Sequence, residues 1–68
     1  MLYGIRHVAT KTATKTAMIK RAVFPPRLSD WTLVVEEAHP FEHKREAEAA
    51  AKFITEQAFN VEVFVLEK

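Results

Sequence analysis

The run His39-Pro40-Phe41-Glu42-His43 holds the residues whose types and spacing come closest to metal chemistry. Two histidines four apart can share a zinc ion when both stand on one helix face. Pro40 breaks a helix through this pair, and the metalloprotease pattern needs Glu directly after the first His. A third ligand is also missing, so the two read as solvated loop histidines and the chain as metal-free. Glu36, Glu37, Glu42, Glu46 and Glu48 lie close in sequence. Carboxylates divide acid and base roles only in a cleft that separates their pKa values, and a short chain has little room for one. Ser29 is the single serine and has no nucleophile elbow around it; Gly4 is the single glycine, too few for a phosphate-cradling loop. The reading is a protein that is not an enzyme and takes no cofactor.

Binding is what remains, and the charge is divided for it. Residues 1–30 hold six Lys/Arg against Asp30, a balance of +5, while residues 31–68 hold four against eight Glu, a balance of −4. The stretch ATKTATKTAMIKRAVFPPR, residues 9–27, carries Lys11, Lys15, Lys20, Arg21 and Arg27 and no acid. With Arg6 and the threonine hydroxyls, these are groups that contact phosphates, and a basic β-hairpin can enter a groove. Tyr3, Phe24 and Trp31 are not interleaved as a base-stacking platform requires. In the acidic half, Glu36, Glu37, Glu42, Glu46 and Glu48 suit a basic site on a larger protein or nucleoprotein complex. This protein-binding reading comes first and nucleic-acid binding second, because a net charge of +1 is unusual for a module that must attract a polyanion. A third account has the two halves attracting each other within the monomer or a dimer.

At 68 residues the chain makes one small α+β domain with a thin stability margin. Cysteine is absent, which excludes disulfides and fits a reducing, cytoplasmic setting. No apolar run is long enough for a membrane span, and Met1 to Arg6 lacks the apolar core of a signal peptide. With 49% apolar residues the composition is that of a folded protein.

Five elements must position these side chains. Leu2 to Ala9 and Met18 to Phe24 read as two strands of a hairpin with a long, mobile Thr/Lys tip, since the tip residues offer no apolar face. Pro25-Pro26 stops the second strand. Trp31 to Glu37 reads as a third strand, closed by Pro40. Ala47, Ala50, Ala51, Ile54 and Ala58 form one apolar stripe, predicting a helix over 43–58 with an unfavourably basic first turn at Lys44 and Arg45. Asn60 caps it. Val61 to Leu66 is the last strand. Both its faces are apolar, which predicts a central strand, a strand covered on its second face, or half of a homodimer interface. The resulting architecture is a two-layer β-β-β-α-β domain, a mostly antiparallel sheet with one helix on one face. The crossover helix returns the last strand parallel to the third, and Ile54, Phe64, Leu33 and Val63 form the helix–sheet contact.

The layout WTLVVEE … FEHKREAEAAAKF … VEVFV, residues 31–66, resembles the small β-α-β cores of phage-encoded accessory proteins that inhibit host machinery, among them host RNA polymerase inhibitors and anti-CRISPR proteins. The resemblance covers about half the chain and carries over no site residue. It implies a non-catalytic protein that works by occluding a larger enzyme.

Overall fold

The computed structural model describes residues 1–8, 17–23, 26–57 and 60–67. Strands β1 (Leu2–His7), β2 (Met18–Ile19), β3 (Trp31–Thr32) and β4 (Val61–Leu66) form one antiparallel sheet in the order β3-β2-β1-β4, and helix α1 (Lys44–Gln57) covers one face. This is the expected α+β class.

Strand alternation sorts the apolar residues into two layers. Tyr3, Ile5, Ile19, Val61 and Val63 face α1, where they meet Phe41, Ala47, Ala51 and Ile54. On the other face Leu2, Met18, Phe64 and Leu66 gather with Val35 and Ala38. The apolar stripe of α1 therefore buries as its spacing predicts, with Ala47 and Ile54 fully enclosed. The alanines keep the helix close to the sheet. Its first turn closes with the Ala47 N–H donating to the His43 carbonyl at 3.2 Å, and the Asn60 carbonyl accepts from Val8 N–H at 2.9 Å beyond its end. The segment after Pro40 completes the sheet: Tyr3 and Phe41 exchange two backbone hydrogen bonds, 2.9 and 2.8 Å, along the part of β1 that short β2 leaves uncovered.

Several expectations are corrected. The third strand ends at Thr32, because its hydroxyl accepts from Val34 N–H at 3.1 Å and donates to Glu37 at 2.9 Å, folding the chain into a 3-10 turn over Val35–Glu37. Leu33, expected in the core, is 53% exposed as a result. Thr32→Val should therefore cost about 1 kcal/mol in a urea melt; a neutral substitution would mean the turn stands without its hydroxyl. The second strand stops after Ile19, where Lys20 N–H turns to the Asp30 carbonyl, and Arg21 to Val23 are exposed. The last strand is not parallel to the third. It runs antiparallel to β1 with six paired positions, from Leu2 opposite Leu66 to His7 opposite Val61, at the sheet edge farthest from β3. A two-residue β3 offers little to pair with, whereas β1 offers its whole length. β4 is thus an edge strand covered on its second face, not a central one, and Phe64 belongs to the layer away from α1. Ala58, Phe59 and the Thr/Lys tip, with Lys11 and Lys15, lie outside the described residues.

Candidate functional site

Each residue of the acidic set is exposed, and none of them has an ion-pair partner among the described residues. Two elements divide them. Glu36 and Glu37 ride on the 3-10 turn whose neighbours Val35 and Ala38 pack against the Phe64 face. Glu46 and Glu48 stand on α1 over the opposite face, with Glu46 in the first turn where the helix dipole favours an acid. Glu42 lies on the connection between them, directly after Phe41. Within the set, Glu37 also serves the fold, its carboxylate accepting the Thr32 hydroxyl.

The basic set is also divided. Arg6 is engaged: its Nε donates to Glu62 Oε1 at 3.0 Å, and its guanidinium lies 5.0 Å from the centre of the Phe64 ring. This ion pair joins the basic and acidic halves of the sequence. Asp30, a buried carboxylate, ties the backbone at Lys20 to the backbone at Arg27. Its carbonyl accepts from Lys20 N–H at 2.6 Å, and its side chain accepts from Arg27 N–H at 2.8 Å. In the sequence Asp30 counts only as a charge, and its joining of two basic positions is missed. Its being the one acid among residues 1–30 is the signal the sequence offers.

The histidines do not converge. His39 is half-buried, its ring edge-on to Phe41 at 4.7 Å, so it is not the solvated loop residue expected; His43 is exposed. His7 lies 5.4 Å from Trp31 in a T-shaped contact. Among the described residues no three His, Asp or Glu side chains are grouped as metal ligands. No helix there is long and apolar enough to cross a membrane.

A further surface runs along β4, the strand whose two apolar faces raise a homodimer interface as one alternative. Val65 is 46% exposed, and an open groove of about 280 Å³ is lined by Met1, Tyr3, Lys44, Val63, Phe64 and Val65. Its position depends on strand order, which no local pattern reports. Comparison with protein-family models, with curated proteins and with solved structures finds no match for this chain.

Proposed function

We propose that the protein is a non-catalytic, cytoplasmic binding module that engages a basic site on a larger protein or nucleoprotein complex, as an inhibitor or adaptor. The resemblance to phage-encoded inhibitors of host machinery is in keeping with this. The observation that carries the reading is that Glu36, Glu37, Glu42, Glu46 and Glu48 are exposed without ion-pair partners among the described residues. The account in which the halves neutralise each other internally holds at Arg6 and Glu62, but among the described residues it does not extend to these five carboxylates. Unpaired surface carboxylates retain their field, which steers association with a basic partner.

Nucleic-acid binding is the second reading. The joining of Lys20 and Arg27, through their backbone N–H groups, to the one residue Asp30 favours it. The engagement of Arg6 by Glu62 counts against it, since a phosphate would have to displace the carboxylate.

The test is pull-down from a host lysate with and without nuclease, followed by binding kinetics on the captured partner. Reversing Glu36, Glu37 and Glu46 to Lys should slow association at least about tenfold, with a smaller effect at high salt. Neutralising Lys11, Lys15, Lys20, Arg21 and Arg27 should matter little. Capture that disappears with nuclease, or tight binding to random duplex at physiological salt that is lost with the lysines, would replace the first reading by the second.

A further inference from the structure

We infer that β4 is a self-pairing edge, and that two copies of the chain join through it into one continuous eight-stranded sheet. The backbone of β1 establishes which groups are available. Tyr3 turns its N–H and carbonyl toward Phe41, and His7 turns its N–H toward Ala17, so alternate residues Leu2, Gly4 and Arg6 turn theirs toward β4. Their partners Leu66, Phe64 and Glu62 are thereby used. The N–H and carbonyl groups of Val61, Val63 and Val65 point the other way, along an edge with no strand beside it among the described residues.

Natural edge strands are blunted by proline, outward lysine, a bulge or shortness. β4 has none of these: it is six residues long, in unbroken register with β1, and reads Val-Glu-Val-Phe-Val-Leu. The opposite edge, β3, is kept short at two residues. The single charge on β4, Glu62, is matched within its own chain by Arg6 at 3.0 Å.

The occupant follows from symmetry and charge. An antiparallel pair with a two-fold axis at Val63 sets Val61 against Val65 of the second copy and Glu62 against Phe64, so no carboxylate faces another. A two-fold axis normal to the sheet puts both helices on one face. α1 rests on β4 and β1 together. With strands about 4.8 Å apart, two such helices stand about 10 Å from each other, the ordinary distance for packed helices. They would close over the groove lined by Lys44, Val63 and Val65. A sheet edge and a helix layer, each about 20 Å long, bury roughly 600 Å² per copy, near the lower bound for a stable interface.

The experiment combines sedimentation with amide exchange on the full chain. At about 100 μM the protein should be a dimer, above the dissociation constant of a weak standard interface. Val65→Pro removes an outward N–H without touching the ladder to β1, and Val65→Lys places a charge on the edge while keeping the backbone. Both should sediment as monomers with an unchanged circular-dichroism spectrum. In the wild type, the amides of Val63 and Val65 should exchange at least about tenfold more slowly at high than at low concentration, while Phe64 is slow in both. A wild-type monomer at that concentration overturns the inference and leaves the edge to a strand of a different protein. A dimer that survives Val65→Lys, or one in which Val63 exchanges quickly, places the interface elsewhere and overturns it too. Neither variant alters the acidic residues, so this inference and the protein-binding reading fail separately.

Discussion

Ile54→Ala should destabilise the protein by about 2–4 kcal/mol, as the larger aliphatic truncations in closed cores do. Ile54 is fully buried and is the largest side chain that α1 contributes to the sheet. Its neighbours in the stripe, Ala47 and Ala51, have nothing to extend into the void, and Ile5, Ile19 and Val61 are fixed to strands. The site therefore collapses poorly, which puts the cost toward the upper part of the range. A domain this small has a total stability of only a few kcal/mol, so at 37 °C much of the variant should be unfolded. Urea melts by circular dichroism read the effect directly. A loss below about half a kcal/mol would mean that the Ile54 face of α1 is not in the core, and the two-layer arrangement would have to be redrawn.

That residue also marks how far the sequence was legible. The stripe of Ala47, Ala50, Ala51 and Ile54 recurs with the helical period, and the period alone names the buried face. β1 and β4 announce themselves through alternation and β-branched residues. Leu33 shows where such signals stop. Trp31 to Glu37 has the pattern of a strand, yet one hydroxyl, Thr32, captures both Val34 N–H and Glu37 and turns the chain after two residues. Local side-chain hydrogen bonds compete with ladders, and propensity does not reveal which will win. Strand order was illegible for a related reason. Once β3 is short, the long edge for β4 is β1, and the direction of the last strand reverses. The candidate surfaces divide in the same way. The sequence isolated the acidic residues, because charge is written in composition. It could not disclose that Arg6 is held by Glu62, a pairing across 56 residues, nor that β4 lies at an edge.

The second large effect is expected at Gly4, the single glycine of the chain. Gly4 is buried and sits opposite Phe64 in the β1–β4 ladder. A Cβ placed on it would stand 2.8 Å from Phe64 Cε1 and 2.9 Å from Cζ, closer than carbon atoms approach in folded proteins. The ring therefore lies across the bare backbone of Gly4, an aromatic covering the gap that glycine leaves in a strand. Arg6 holds it from the neighbouring position on the same face, 5.0 Å from the ring centre. Two effects of Gly4→Ala oppose each other. Alanine restricts the unfolded chain and suits a strand better, which stabilises by about 0.4–1 kcal/mol. Displacing the ring forfeits its packing and strains its rotamer, which costs about 1–3 kcal/mol. The second wins because the new Cβ meets two ring carbons inside 3.0 Å, so Phe64 must leave its packing against Met18, Ala38 and Leu66. The net result should be a loss of about 1–2 kcal/mol. A double-mutant cycle isolates the cause. In a Phe64→Ala background the ring is gone, so Gly4→Ala should become neutral or stabilising, with a coupling of at least about 1 kcal/mol. Equal costs in the two backgrounds would show that the ring is not what requires glycine here.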